Sequence, residues 1–442
     1  MPFPLFTDVL LWLLIAALAA YAWYCSRRPH LAAPWRRVFQ SKAAVACSVV
    51  LGCFVAVGLL DSLHYRPGLQ GGGYSPEVLS VLDLALTPLR ERRERTYSAP
   101  LATRLYAREQ VQVDGKTVRD FPRLAHGGAH LESEADRPRD IAARVGLGLL
   151  CAAFAAVALG LLVKRLRRWR PDVPWSTAGA TLLVVLAVAF PLGFLAAKYH
   201  VLGTDKVGQD VLYQALKSIR VSLVIGTLTT LVLLPLGIAL GIMAGYFRGW
   251  IDDAIQYLYT TLNSIPAVLL IAAAVLMMQV VIDRNADWFA TAAQRADFRL
   301  LILCAILGLT SWTGLARLLR GEALKLSQLE YIQAAHAFGV ADARILGRHI
   351  LPNVAHIVII ALVMDFSGLV LAEAVLSYVG VGVDPATTSF GTMINAARLE
   401  MGREPVVWWS LAAAFAFMFL LVLAANLFAD AVRDGFDPRV RV

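Results

Sequence analysis

Two carboxylates lie inside a long apolar stretch of this sequence. Asp365 and Glu373 fall within residues 354–376, among apolar and small side chains. An ionised group at membrane depth costs a few kcal/mol if it faces lipid, so both should face a protein interior or a wet cavity. Such groups could relay protons, line the path of a solute, or hydrogen-bond between helices. Lining the solute path and hydrogen-bonding between helices both stay open for Glu373, whereas structural pairing is the expectation for Asp365.

The common signatures of catalysis and metal binding are missing. The sequence contains no phosphate loop of the form Gly, four residues, Gly-Lys-Ser/Thr, and no arrangement typical of a nucleophile with its base. His126 and His130 could form a metal pair, but histidines beside two glycines in a loop are usually solvated. All five cysteines lie in or at the edge of apolar runs and are not a disulfide framework. We therefore expect no catalytic, metal or cofactor site in this chain.

The composition is that of a polytopic membrane protein. Of 442 residues, 58% are hydrophobic and 17% are charged, and the mean hydropathy is +0.62. About 20 apolar residues cross the hydrocarbon as a helix. Runs of about this length occur approximately at 8–25, 43–62, 142–163, 177–197, 220–246, 257–282, 299–318, 354–376 and 407–429. The net charge of +9 is better explained by cytoplasmic loops than by nucleic-acid binding.

Loop charges predict the orientation. Residues 26–42 and 164–170 are short and strongly basic, so both loops should be cytoplasmic. The first ten residues carry Asp8 and no basic residue, which does not suit a cleaved signal peptide. Nine spans then place the N-terminus outside and the C-terminus in the cytoplasm.

The loop at 62–141 should be a small extracytoplasmic α+β subdomain. Ser75 followed by Pro76 is a typical helix start. Residues 110–118 alternate around Asp114-Gly115, which predicts a hairpin. A loosely ordered charged loop is the alternative.

Several positions predict local geometry around the later spans. The triplet Gly237, Gly241 and Gly245 falls on one helical face and favours close helix packing over pore lining. Pro266 should kink its helix. Trp408-Trp409 should form an aromatic belt at the outer interface.

Residues 331–353 form a polar island between two apolar spans, which we call the knob. Good helix formers lead to Gly339, which can end a helix in the left-handed conformation. Asp342 can cap a second short helix, and Pro352 stands where the next span begins. Two short helices at an angle on the membrane face suit insertion into another protein, although a simple connector between spans is the alternative.

The knob resembles the docking loop of permease subunits in binding-protein-dependent ABC importers, in particular the C-type permeases of dipeptide and oligopeptide transporters. That motif is Glu-Ala-Ala, three residues, Gly, nine residues, Ile, one residue, Leu-Pro. Gln333 replaces the motif's Glu and His349 its Ile. The matching residues are Ala334, Ala335, Gly339, Leu351 and Pro352. Residues 202–213, in which Asp205 and Asp210 can cap helices, resemble the start of the same core, and residues 426–439 resemble its end.

The resemblance implies a six-helix type I permease core at 176–442, to which residues 1–175 add three spans and the outer subdomain. It implies a bacterial inner membrane location and alternating access. The implied partners are a second, homologous permease, two ATP-binding cassette subunits that hold ATP and magnesium, an extracytoplasmic solute-binding protein and membrane lipid. The knob residues implied in docking are Gln333, Ala334, Ala335, Gly339, Asp342, Leu351 and Pro352.

Two other classes of protein fit part of the sequence. An ion- or proton-coupled secondary transporter would use Asp365 and Glu373 as its relay, and would transport without an ATPase. A membrane scaffold would bind a partner through the outer subdomain and would show neither transport nor ATPase coupling. The sequence does not identify the solute, because selectivity in such importers lies largely in the separate binding protein.

Overall fold

The computed structural model describes residues 1–68, 73–113 and 116–436 of the chain. In chain order the helices of these ranges are α1 (Phe6–Ser26), α2 (Pro29–Gln40), α3 (Lys42–Asp61), α4 (Val81–Ala85), α5 (Thr87–Glu91), α6 (Arg137–Trp169), α7 (Trp175–Ala196), α8 (Val211–Phe247), α9 (Gly249–Ser264), α10 (Ala267–Arg284), α11 (Ala292–Ser311), α12 (Thr313–Leu326), α13 (Glu330–Ala337), α14 (Asp342–Ile345), α15 (Leu351–Val379), α16 (Phe390–Glu400) and α17 (Trp409–Phe436). The strands are β1 (His64–Tyr65), β2 (Leu79–Ser80), β3 (Glu109–Val113) and β4 (Lys116–Asp120).

Within the described residues, nine helical runs are long and apolar enough to cross a membrane, as predicted. They are Phe6–Ser26, Lys42–Asp61, Glu134–Arg168, Trp175–Ala196, Val211–Phe247, Ala267–Arg284, Ala292–Leu326, Asp342–Val379 and Trp409–Phe436. The prediction succeeds because apolar length is a property of the sequence alone. The fold is therefore that of an all-α polytopic membrane protein with a small α+β insertion.

The described residues pack into two compact units, each built from separated segments. The first unit takes the described parts of Met1–Pro4, Phe39–Ser222 and Pro385–Ala424, and the second those of Leu5–Val38, Leu223–Asp384 and Ala425–Val442. The division at residue 175 that the resemblance implies stays a prediction. The N-terminal extension contributes to both units: α1 packs against α11 in the second, and α3 packs against α7 in the first.

The outer subdomain belongs to the first unit and contains both strands and helices. β1 pairs with β2, and β3 pairs with β4, both antiparallel. The second pairing runs from Glu109 opposite Asp120 to Val113 opposite Lys116. These strands confirm the predicted hairpin, whose turn at 114–115 lies outside the described residues.

The helix start predicted at Ser75 is wrong. Leu79 and Ser80 are instead strand residues paired with β1, and the helix begins at Val81. Ser80 Oγ accepts a 3.1 Å hydrogen bond from the Asp83 N–H, while Asp83 Oδ2 accepts one of 2.8 Å from the Ser80 N–H. This reciprocal capping box satisfies two free backbone donors, which explains why the helix starts there.

In the second unit, glycines of α8 allow α12 to approach closely, as predicted. A β-carbon at Gly241 would lie 2.7 Å from the carbonyl oxygen of Ala316, and one at Gly245 would lie 2.5 Å from that of Arg320. At Gly237 it would lie 2.9 Å from a methyl group of the Leu315 side chain. Larger residues would therefore push these two helices apart.

The kink predicted at Pro266 is a complete break between α9 and α10. Ile265 is extended, with φ −92° and ψ 132°. The ring of a proline disfavours the helical conformation of the residue before it, which accounts for the break. α9 is thus a separate helix, joined to α12 by Arg320, which donates two hydrogen bonds of 2.6 Å to Asp252.

No separate interfacial helix precedes the fifth span in the described chain, because α8 begins directly after Asp210. Asp210 Oδ1 caps α8 by accepting hydrogen bonds from the N–H groups of Leu212 (2.8 Å) and Tyr213 (3.1 Å), as predicted. Asp205 caps no helix. Its Oδ1 accepts the N–H of Gln209 at 2.8 Å and so closes the preceding loop.

The aromatic belt prediction is wrong for Trp409, which is only 2% exposed. Its Nε1 donates a 2.9 Å hydrogen bond to the carbonyl oxygen of Thr204, and its ring meets Tyr106 edge to face at 4.8 Å. Trp408 is 54% exposed, in keeping with the prediction. Trp409 therefore joins the outer subdomain to the loop before α8.

Candidate functional site

The knob begins with α13, which a left-handed glycine ends. Gly339 has φ +73°. Its N–H donates a 3.0 Å hydrogen bond to the carbonyl of His336, and the Val340 N–H donates one of 3.1 Å to that of Ala335. This pair of bonds is a Schellman motif and satisfies carbonyls at the helix end. The predicted left-handed stop is confirmed.

Three isoleucines attach the knob to the helix bundle. Ile332 is 2% exposed, and Ile345 and Ile350 are fully buried. They pack in one hydrophobic cluster with Trp312 and other side chains of α8, α12 and α15. Burying a side chain of this size stabilises by about 1.5–3 kcal/mol relative to exposure. The inner face of the knob is therefore fixed to the membrane helices.

The opposite face of the knob is exposed. The two short helices α13 and α14 form the first and second arms of the knob. Phe338, at the turn between them, is 88% exposed. Gln333 and Ala334 are exposed on α13, while Ala335 beside them is half-buried. At the far end of the knob, Leu351 is 39% exposed and Pro352 is also exposed. Most of the docking residues implied by the resemblance thus share a surface-accessible segment, with a bulky apolar side chain at its tip.

Asp342 does not cap the second arm, so that prediction is wrong. Ala341 occupies the capping position, and Asp342 is the first residue of α14. Asp342 Oδ1 instead accepts a 2.7 Å hydrogen bond from the hydroxyl of Tyr246, near the end of α8. An acid in the first turn also complements the helix dipole.

The second arm continues into the eighth span without a break. α14 leads into a π-helical turn, Leu346–Ile350, and then into α15. Pro352 lies in the first turn of α15, where a missing N–H is tolerated, as predicted. The arm and the span therefore form one helical run.

The two intramembrane carboxylates both lie on α15 but are separated. Eight positions of helix place Asp365 and Glu373 about 12 Å apart along the axis, so they do not form a direct pair. Glu373 is 1% exposed, and its Oε1 accepts a 2.6 Å hydrogen bond from Ser377 Oγ. Asp365 is half-buried. A role for either in lining the solute path stays a prediction.

Sequence reasoning missed a buried charge cluster in the first unit, which we call the junction triad: Glu94, His200 and Asp210. His200 Nδ1 lies 2.8 Å from Asp210 Oδ2, and its Nε2 makes a looser ionic contact of 3.4 Å with Glu94 Oε1. Their exposed fractions are 6%, 3% and 1%. Glu94 comes from the outer subdomain, whereas Asp210 caps α8. The triad therefore ties the inserted subdomain to the start of α8.

Two members of the triad, Glu94 and His200, are charged at neutral pH despite their burial. Burial alone would raise the pKa of Glu94, but the close contact with His200 and hydrogen bonds from three backbone N–H groups, those of residues 125–127, lower it to about 2. Burial would likewise lower the pKa of His200, but the carboxylates of Asp210 and Glu94 raise it to about 9. A protonated histidine between two carboxylates follows at neutral pH.

A second buried cluster joins the same elements. Lys217 Nζ on α8 lies 2.7 Å from Asp61 Oδ1 and 3.0 Å from Asp83 Oδ2. The hydroxyl of Tyr213 donates a 2.7 Å hydrogen bond to Asp83 Oδ1. Nothing in the sequence pairs residues more than a hundred positions apart, so only the fold exposes these contacts.

The described residues contain no group of three or more His, Cys, Asp or Glu side chains able to hold a metal ion. Of the two loop histidines considered as a metal pair, His130 Nε2 lies 2.9 Å from Asp140 Oδ2, and the backbone N–H of His126 donates to Glu94.

Residues 237–442, which include the knob, match the family described as the binding-protein-dependent transport system inner membrane component. The glutathione transport system permease protein GsiD of Pectobacterium atrosepticum is 32% identical over 283 residues, covering 60% of this chain and 86% of that protein. The chain belongs to this permease family.

Two further permeases show the same relationship. The oligopeptide transport system permease protein OppC of Mycobacterium tuberculosis is 30% identical over 64% of this chain and 94% of that protein. The dipeptide transport system permease protein DppC of Bacillus subtilis is 28% identical over 55% and 69%. The resemblance of the knob is thereby confirmed at the level of the family. Membership of this family supports a permease subunit and gives no support to an ion-coupled secondary transporter.

Proposed function

We propose that this permease is the C-type membrane subunit of an ATP-driven importer for peptides or similar small solutes. The observation that carries the proposal is the knob, fixed by buried isoleucines on one face and presenting Phe338, 88% exposed, on the other. A segment that is fixed on one face and exposed on the other presents a defined surface to a partner, and docking there would cover Phe338. The solute class follows from the names of the similar permeases, which carry glutathione, oligopeptides and dipeptides.

The partners in this proposal are a second, homologous permease, two ATP-binding cassette subunits and an extracytoplasmic solute-binding protein. ATP and magnesium bind in the cassette subunits, so hydrolysis takes place outside this chain. The knob docks on one cassette subunit, and the docking residues are those named from the resemblance. The N-terminus is outside, and both the knob and the C-terminus are on the cytoplasmic side of a bacterial inner membrane.

Transport proceeds by alternating access. ATP binding draws the cassette subunits together, and the knob follows its docking partner. Because α14 and α15 form one helical run, movement of the knob changes the tilt of the eighth span. The two permeases then open outward to accept solute from the binding protein, and hydrolysis restores the inward state.

The test is co-purification with the cassette subunits together with ATPase stimulation by loaded binding protein. Phe338→Asp removes the exposed aromatic without disturbing the buried isoleucines, so the chain should insert normally and bind the cassette subunits weakly. Tyr74→Asp, at a residue 54% exposed in the outer subdomain, is the matched control and should assemble normally. Normal assembly and stimulation with Phe338→Asp would refute docking through the knob. In a separate measurement, competition for uptake among glutathione, dipeptides and longer peptides would define the solute class.

A further inference from the structure

A basic segment, which we call the basic corner, runs from the end of α1 through α2 and contains no acid. No Asp or Glu occurs between Asp8 and Asp61. The cations of this interval with a described side chain are Arg27, Arg28, Arg36, Arg37 and Lys42. Within the described residues, none of the four arginines forms an ion pair with a carboxylate. Their charge is therefore available to an external anion.

Two of these arginines are stacked on aromatic rings. The Arg27 guanidinium lies 3.9 Å from the ring centroid of Trp23, and that of Arg28 lies 4.5 Å from the ring of Tyr24. Stacking uses the face of the guanidinium and leaves its N–H edges able to bind phosphate oxygens in pairs. The rings are themselves 58% and 44% exposed. Such amphipathic aromatics are enriched at the level of lipid headgroups.

α2 is a short helix with an apolar side and a basic side. It has 12 residues and spans about 18 Å, too short to cross the hydrocarbon, and it stands between two candidate spans. Trp35 meets Phe436 edge to face at 5.1 Å, and Val38 packs against Gly435, both at the end of α17. Arg36 and Arg37 are exposed. The apolar side of α2 is thus attached to the protein, and its basic side is free.

We propose that the basic corner, Arg27, Arg28, Arg36 and Arg37, binds the headgroup phosphates of anionic phospholipids. Charge complementarity supports this occupant, because basic residues beside a membrane helix are attracted to anionic lipid at about 1 kcal/mol each. The exposed Trp23 and Tyr24 rings favour a lipid over a free phosphate ion, since they have apolar surface to place at the acyl boundary. The proposal depends on the membrane-spanning fold and not on the solute or on ATPase coupling.

The experiment counts the lipids retained by the purified full-length chain. The chain is solubilised from vesicles of equal parts phosphatidylglycerol and phosphatidylcholine, washed in mild detergent, and analysed by native mass spectrometry. Wild type should retain phosphatidylglycerol preferentially. Arg27→Gln/Arg28→Gln and Arg36→Gln/Arg37→Gln should each lower this retention on the order of tenfold, since two cations are lost. Arg93→Gln/Arg95→Gln changes the net charge equally in the outer subdomain and should retain the wild-type amount.

The contrary outcomes are distinct. Equal retention of the two lipids, or an equal loss in the outer-subdomain control, would mean that the corner is not a site for anionic lipid. Displacement of phosphatidylglycerol by millimolar inorganic phosphate would show a simple anion site and would also overturn the proposal. Arg27→Lys/Arg28→Lys checks the stacking argument on a chain that keeps its charge. It should retain less phosphatidylglycerol than wild type and more than the glutamine variant.

Discussion

The hydroxyl of Tyr246 donates a 2.7 Å hydrogen bond to Asp342, and so joins the last turn of α8 to the first residue of the knob's second arm. The knob is therefore attached at two points, through this bond and through its helical continuation into α15. We expect the bond to keep the second arm in a docking orientation. That expectation depends on the proposed coupling to ATPase subunits.

Tyr246→Phe should weaken coupling without preventing insertion. The variant loses one hydrogen bond to a carboxylate, worth about 1.5–3 kcal/mol in general and less here because Asp342 is only half-buried. ATPase stimulation by loaded binding protein should fall several-fold. The control is a double-mutant cycle with Asp342→Ala: if the bond matters, the two changes together should cost no more than either alone. Independent, additive losses would contradict the prediction.

Gly339→Asp should abolish docking, and Gly339→Asn should not. Asparagine has the same size and tolerates the left-handed conformation that φ +73° requires. No heavy atom lies within 4 Å of the added β-carbon, so neither side chain clashes within the chain. The difference between them is then the negative charge brought to the docking surface. Co-purification with the cassette subunits measures it. Loss of binding by both variants would point to backbone strain instead.

The junction triad should make the stability of the first unit depend on pH. The pKa of His200 is raised from 6.5 to about 9 in the folded chain, so its stabilisation is complete below about pH 6.5 and is lost as the pH rises through 9. The pKa of Glu94 is lowered from 4.5 to about 2, so its stabilisation is present above 4.5 and lost as the pH falls through 2. The stabilisation by the triad is therefore greatest between about pH 4.5 and pH 6.5.

Thermal unfolding in detergent from pH 6 to 9.5 tests this. Wild type should lose stability across the range, by at most about 3 kcal/mol, since one pKa unit corresponds to about 1.4 kcal/mol. His200→Gln should be less stable at pH 6 and should show a much smaller slope. His336→Gln, at an exposed residue of the knob, should behave as wild type. Identical slopes for all three chains would exclude the triad as the cause.

Gly241→Ala should destabilise the second unit by about 1–3 kcal/mol, because the new β-carbon meets the backbone of Ala316 and overpacks the contact of α8 with α12. Gly321→Ala is the control, since no heavy atom lies within 4 Å of its β-carbon. That change should be neutral or stabilise by up to about 1 kcal/mol through helix propensity. Denaturation in detergent measures both. Equal behaviour of the two variants would show that α12 can move away without cost.

The orientation of the chain in the membrane can be checked by labelling single cysteines in a variant from which the five native cysteines have been removed. Two exposed positions are suitable: Arg93 in the outer subdomain and Arg344 in the knob. A membrane-impermeant maleimide should modify a cysteine at one of them and not at the other. In intact cells whose outer barrier is permeabilised, only the cysteine at 93 should be modified. Modification at 344 alone would invert the proposed topology.

The membrane helices and the turn at Gly339 could be predicted from the sequence because each depends on local properties, namely apolar length and the conformational freedom of glycine. The errors concern positions where a distant partner decides. Asp342 looks like a cap until Tyr246 is placed beside it, and Trp409 looks like an interfacial ring until Thr204 and Tyr106 surround it. Such partners lie too far away in the chain for any pattern of spacing to indicate them.

The junction triad shows the same limit for the candidate site. The sequence predicts Asp210 as a helix cap, since the residues that it caps are two and three positions away. Its second role is to hold His200 against Glu94. That contact joins residues that are separated in the chain by the two spans α6 and α7. The charge-rich run that contains Glu94 carries no sequence signal that one of its acids is buried.

The run Asp342–Val379 has 38 residues and is about 57 Å long as a helix. If a helix of that length tilts by a few degrees about the knob, its far end shifts by several ångströms. Glu373 lies near that far end, four residues before Ser377, its hydrogen-bond donor. If the knob couples to ATPase subunits as proposed, small rotations imposed there would be amplified at the far end of the helix, without any bond in the helix having to break.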